Sequence, residues 1–209
     1  MTAIRLIAGL GNPGERYRHT RHNVGAEFVL ELARRFRIAL ADEPRFKGLV
    51  GRGTIAGHDV RLLVPTTFMN LSGDSVGAVA RFYKLAPAEV LIAYDEMAFD
   101  PGVVRLRTGG GDNGHNGIRS VIAGLGNANG FHRLRIGVGH PGDKSAVTAY
   151  LTQARMPQSE RDAIERALRI GDALLADLLA GDLQKAMNSL HVPVDRPTTP
   201  ADRPGAPKE

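Results

Sequence analysis

Two residues far apart in the chain carry side chains suited to moving a proton. His22 offers an imidazole, which titrates near neutral pH and can take a proton from water. Asp95 follows the apolar run Val90-Leu91-Ile92-Ala93, where a carboxylate at the end of a buried strand could accept the imidazole N–H. Such an acid fixes the tautomer and stabilises the imidazolium formed during attack. Asn12, Asn70 and Asn116 add three neutral side chains that both donate and accept hydrogen bonds. Amides can hold a carbonyl, or orient a water, without competing for the proton. That inventory suits hydrolysis of an ester or amide with water as the nucleophile. Each residue also has a plainer role: a histidine before a helix as a cap, an acid closing a turn, asparagines in turns because they tolerate left-handed backbone.

Other chemistries fit less well. The chain has no cysteine, so disulfides, thiolate nucleophiles and cysteine-type zinc sites are excluded together. It has no G-x-S-x-G elbow, so a serine acyl-enzyme is not indicated. His19 and His22 lie three apart but lack a third ligand at diagnostic spacing, and no metal is expected. Gly9, Gly11 and Gly14 match G-x-G-x-x-G, yet Pro13 and the polar stretch to His22 delay the helix that should hold a pyrophosphate. The next strands also read as a hairpin rather than a parallel crossover, so no dinucleotide cofactor is expected. Arg105 and Arg107 are two apart in one strand pattern, and Arg133 and Arg135 two apart in another. Period-two spacing puts each pair on one face, which binds phosphate if the strands are neighbours and is otherwise a solvated strand face.

The elements that must position these residues follow from apolar periodicity. Ile4, Leu6, Ile7 and Ala8 read as a buried strand, ended by the glycine-rich turn from Gly9 to Gly14. Val24, Phe28, Val29, Leu32, Ala33 and Phe36 recur at helical spacing. Phe46–Ile55 and Asp59–Val64 flank Ala56-Gly57-His58 as an antiparallel hairpin. Ser72 or Asp74 is placed to cap a helix carrying Val76, Val79, Ala80 and Tyr83. A central strand to Ala93, a strand over Val103–Arg107, a glycine loop from Gly109 to Gly117, a helix over Ile118–Leu125 and a strand over His132–Gly139 follow. The pattern is largely helical from Val147 to Leu190. Strands alternating with helices, one hairpin included, predict a single α/β domain around a mixed sheet. In such sheets ligands bind beyond the carboxyl ends of strands, and Asn12, Asn70, Asp95 and His140 each follow one.

Residues 1–191 are read as this domain and residues 192–209, rich in proline and charge, as a disordered tail. The amino terminus lacks signal-peptide features, and no apolar run approaches the ~20 residues of a membrane span. A cytoplasmic protein is expected. The balance of 27 basic against 22 acidic residues, net +5, fits an anionic partner such as nucleic acid. The absence of tryptophan argues against a broad base-stacking platform.

With these residues placed, the chain resembles the bacterial-type peptidyl-tRNA hydrolases. The matching segments are GLGNPGERYRHTRHNVG from Gly9, PTTFMNLSG from Pro65, YDEM from Tyr94, GGGDNGHNG from Gly109 and FHRLRIGVGHPGD from Phe131. Their order and spacing resemble the family over about residues 4 to 190. The resemblance implies a monomeric α/β domain with a twisted mixed sheet between helices, cleaving the ester between a peptide and the 3′ end of tRNA without a metal. It implies that His22 is the base, Asp95 its orienting partner, and Asn12, Asn70 and Asn116 the positioning amides. Tyr17, Phe68, Met69 and His115 match cleft residues. Arg107 and Arg135, with Arg105 and Arg133 beside them, match the clamp on the tRNA 5′ phosphate, and the stretch after His140 matches a mobile gate. Asp112-Asn113 and Tyr94 depart from the pattern, where small residues or histidine are the usual occupants.

Overall fold

The computed structural model describes residues 2–190. The boundary expected near residue 191 and the tail at 192–209 lie outside the described residues. Strand β1 (Leu6–Gly9) is buried at every position because it is central. It runs parallel to β4 (His58–Pro65) on one side and to β5 (Val90–Glu96) on the other. Beyond β4 the sheet continues antiparallel through β3 (Gly48–Ile55) to β2 (Ala41–Glu43). Beyond β5 it continues parallel to β7 (His132–Gly137) and then antiparallel to β6 (Val104–Thr108). The order is therefore β2-β3-β4-β1-β5-β7-β6, a mixed sheet as expected.

Alternation along the central strands divides the apolar residues between two faces. Ile7, Leu91 and Ala93 pack with Phe28 and Leu32 of α1 (Val24–Arg35) and with Leu175 and Leu178 of α6 (Asp172–Ala180). Leu6, Ala8 and Ile92 pack with Val76 and Val79 of α2 (Ser72–Phe82) and Ile118 and Val121 of α3 (Asn116–Gly124). The long helical stretch near the carboxyl terminus divides into α4 (Val147–Thr152), α5 (Gln158–Leu168), α6 and α7 (Leu183–Leu190). Gly181, at φ 84°, ends α6 in the left-handed region. The result is the expected α/β domain, a twisted mixed sheet flanked by helices.

Three expectations are corrected. The chain from Gly14 makes two short 3₁₀ turns, Glu15–Tyr17 and Arg21–Asn23, before α1. So no helix amino terminus faces the third glycine, and the hairpin's second strand does lie parallel to β1. Neither Ser72 nor Asp74 caps α2: Leu71 holds that position without a side-chain bond. The Ser72 hydroxyl donates to the Met69 carbonyl (2.8 Å), and Asp74 pairs with Lys47 (2.9 Å). The three-residue β2 was not expected, being too short and too polar to register.

Two close approaches position the site. A Cβ on Gly25 would lie 2.2 Å from the Ala93 carbonyl oxygen, and one on Gly9 would lie 2.1 Å from that of Gly25. Only glycines let α1 descend onto the ends of β1 and β5, carrying the turn with His22 to the end of β5. On the other face, a Cβ on Gly73 would lie 1.8 Å from the Ser120 carbonyl oxygen, so α2 and α3 pack backbone to backbone. That contact brings the segments with Asn70 and Asn116 to one cleft.

Candidate active site

The ends of β1 and β5 open into a cleft of about 470 Å³. Asp95, still within β5, is buried on its floor, its carboxylate 1% exposed. Nδ1 of His22 lies 2.9 Å from both carboxylate oxygens, and Nε2 of His115 lies 2.9 Å from Oδ1. Nδ1 of His115 accepts from the Ile118 N–H at 3.2 Å, so its proton sits on Nε2 and is donated to Asp95. The same logic places the His22 proton on Nδ1 and leaves Nε2 as a lone-pair acceptor. Burial alone would lower the pKa of His22, but the Asp95 charge and hydrogen bond outweigh it and raise the pKa above the ordinary value. For Asp95, burial pushes upward, and the two imidazoles hold the acid well below the usual carboxylate range.

The donor atoms of His22, Asp95 and His115 lie within 4.8 Å of one another, a spacing a divalent ion could also use. Here each ring nitrogen facing the acid carries a proton that satisfies it. A metal would enter only by displacing two ring protons, so the set fits a hydrogen-bonded triad better than a coordination site.

Two of the three amides are held by hydrogen bonds. Asn12 Oδ1 accepts from the Met69 N–H (2.8 Å), which turns its NH₂ group away from Met69. The Asn23 side chain clamps the Asn12 backbone, accepting from its N–H (2.8 Å) and donating to its carbonyl (2.9 Å). Asn116 Oδ1 accepts from Arg119 (3.2 Å), which likewise frees its NH₂. Arg119 is held in turn by Asp112 (3.1 Å), whose Oδ1 also accepts from the Gly114 N–H (2.7 Å). Asp112 thus braces the glycine loop. Tyr17, Phe68, Met69, Asn70 and Asn116 all line the cleft with His22, and Phe68 is half exposed. Tyr94 stacks edge-on against His115, with ring centroids 4.9 Å apart.

The four arginines are neighbours, because β6 and β7 set Arg105 opposite Arg135 and Arg107 opposite Arg133. Their environments differ. Arg133 is 1% exposed and donates to the carbonyls of Gly110 and Gly111, so it anchors the loop and is not a surface cation. Arg135 pairs with Glu96 (2.8 Å). Arg105 is partly exposed and Arg107 exposed. His140, which follows β7, does not line the cleft; its Nδ1 accepts from the Gly142 N–H (2.9 Å).

Sequence reading missed three supporting roles: His115 as the second imidazole on Asp95, Asn23, and Arg21. The buried Arg21 reaches from the turn before His22 to Glu160 (2.7 Å) and to the carbonyls of Tyr150 and Ala154 (each 3.4 Å). It also lies over the Tyr150 ring at 3.9 Å. It thereby holds α4, whose Val147 and Leu151 form one wall of the cleft. No spacing in the sequence signals a contact across 139 positions.

The comparisons agree with this fold. The family model described as peptidyl-tRNA hydrolase matches residues 6–199. A peptidyl-tRNA hydrolase from Pseudomonas aeruginosa is 50% identical over 191 residues, 91% of this chain and 98% of the relative; one from Pseudomonas putida is 49% identical over the same span. A crystal structure of the peptidyl-tRNA hydrolase from Acinetobacter baumannii has a TM-score of 0.86 at 46% identity, covering 91% of this chain and 95% of that one. The chain belongs to the peptidyl-tRNA hydrolase family.

Proposed function

We propose that the chain hydrolyses the ester between a peptide and the 3′ end of tRNA, with His22 as the general base. The observation that carries this reading is the proton arrangement: Nδ1–H of His22 spent on buried Asp95, Nε2 left as acceptor, and amide donors lining the same cleft. Nε2 takes a proton from water as the water attacks the ester carbonyl. Asp95 stabilises the imidazolium that forms, and His115 steadies the acid. The NH₂ groups of Asn12 and Asn116 bind the carbonyl and the oxyanion that develops from it, while Asn70 extends the polar lining. The imidazolium then returns its proton to the departing ribose oxygen, leaving a free carboxylate and a tRNA 3′ hydroxyl.

The tRNA end approaches over β6 and β7. Arg105 and Arg107 meet the 5′ phosphate, Arg135 lies opposite Arg105 and pairs with Glu96, and Arg133 supports them through the loop. The reaction runs without a metal, on a monomer, in the cytoplasm. The test is release of peptide from peptidyl-tRNA with and without a chelator. Wild type should keep its rate in chelator, and His22→Ala should lose about 10²- to 10⁴-fold in kcat while still binding tRNA. Chelator inhibition, or near-normal turnover by His22→Ala, would overturn the mechanism.

A further inference from the structure

The acid at which the glycine loop departs from the family pattern is engaged through both of its oxygens. Asp112 Oδ1 accepts from the Gly114 N–H (2.7 Å) and from Nη2 of Arg119 (3.3 Å), and Oδ2 accepts from Nε of Arg119 (3.1 Å). Two parallel bonds to one carboxylate fix the plane of the guanidinium, which a single bond would not. The remaining nitrogen, Nη1, donates to Oδ1 of Asn116 (3.2 Å). Arg119 lies outside the cleft, in a groove between α2 and α3. Asn116 borders the groove and the cleft alike.

An asparagine amide has two ends of nearly equal size and opposite polarity, so shape alone does not settle which end faces a substrate. For Asn12 a main-chain donor settles it, the Met69 N–H. For Asn116 the donor is a long side chain, 60% exposed, that would lose its fixed place without a partner of its own. Arg119 carries donors only. While it is held, it draws the Asn116 oxygen to the groove and leaves the NH₂ group for the cleft. A reversed amide would set its oxygen against the ester carbonyl and oppose the negative charge that develops there. We propose that Asp112 is a positioning residue for the hydrolysis, acting through Arg119 on the orientation of the Asn116 amide. This rests on the reading of the cleft as a peptidyl-tRNA hydrolase site. The acid takes no part in bond making or proton transfer.

Asp112→Asn isolates this contact, because an asparagine still accepts from the Gly114 N–H but cannot offer Arg119 two oxygens. In the full chain, acting on peptidyl-tRNA, it should lower kcat roughly fivefold and leave KM within about twofold, a fraction of the ~10²-fold that losing an oxyanion donor outright can cost. In an Asn116→Ala background, itself slow, the same substitution should lower kcat no further. The acid limb of the kcat/KM profile should stay at its wild-type pH, because His22 and Asp95 keep their contact. Arg119→Met, at an exposed position, should repeat the loss in kcat and its disappearance beside Asn116→Ala. Wild-type kcat in either variant, an equal loss in both backgrounds, a change in KM alone or a shifted acid limb would each overturn the proposal and leave the cleft reading intact. An Asn116→Ala variant as fast as wild type would remove that amide from the cleft reading as well.

Discussion

At the scale of single residues, the proposed chemistry rests on what Asp95 does to His22. The raised imidazole pKa means the base form is lost on acidification earlier than an ordinary histidine would lose it. The kcat/KM profile should therefore fall on its acid side through a pKa above 6.5. In Asp95→Asn the charge is gone and burial acts on His22 unopposed, so the acid limb should move to lower pH while the plateau drops by at least about tenfold. A pH–rate profile of the variant checks both, and an unmoved limb would separate Asp95 from the base. Stability follows the same signs. The contribution of His22 is complete below its ordinary pKa and is lost as pH rises through the raised value. That of Asp95 is present above the ordinary carboxylate pKa and is lost only as pH falls through its lowered one. Residue type marked out His22, Asp95 and the three asparagines in the sequence, and the fold brings all five to one cleft. The second bond of Asp95, to His115, was not legible there. It joins residues 20 apart through the curl of the glycine loop, which no local periodicity encodes.

At the scale of elements, the cleft is assembled by segments that meet through backbone contacts and one long arginine. Arg21→Met keeps the apolar bulk but removes the bonds to α4 and α5. We expect KM for peptidyl-tRNA to rise about tenfold with a smaller change in kcat, since charged hydrogen bonds of this kind contribute about 1.5–3 kcal/mol. Amide exchange over Val147–Thr152 should quicken in parallel. Unchanged KM and exchange would show that α4 is held by other means. The periodicity of β1 and α1 predicted those elements within a residue or two, whereas β5 runs on to Glu96, three residues past the expected end at Ala93. The boundary of α2 was misplaced because Ser72 and Asp74 both suit a cap, and their side chains are taken by Met69 and Lys47 instead. The arginine pairs were read correctly as sharing a face once β6 and β7 paired. The burial of Arg133 beneath loop carbonyls could not be read from spacing, because the loop that covers it lies more than 20 positions away.

At the scale of the whole molecule, the proposed tRNA contact draws on the excess of basic over acidic residues through the arginines of β6 and β7 at the sheet edge. Neutralised phosphates release counterions, so tRNA affinity should fall with rising salt. Replacing Arg105 and Arg107 together by glutamine should reduce the slope of log K against log salt by about one to two. A binding series across salt concentrations checks this, and an unchanged slope would remove both from the interface. No described helix is long and apolar enough to cross a membrane.

The clamp of Asn23 on Asn12 sets a division of labour between the two sides of the cleft. The amide and the imidazole are fastened within one short stretch, so the jaw proposed to meet the ester is stiff before anything arrives. The opposite jaw, α4, buries only Leu151 and is tied to the fold by the Tyr150 hydroxyl, which donates to the Val138 carbonyl, and by Arg21. A catalyst that meets the same bond in every client, but a different peptide sequence each time, gains from that asymmetry. Reactive geometry stays constant on one flank, and tolerance for variety resides on the other.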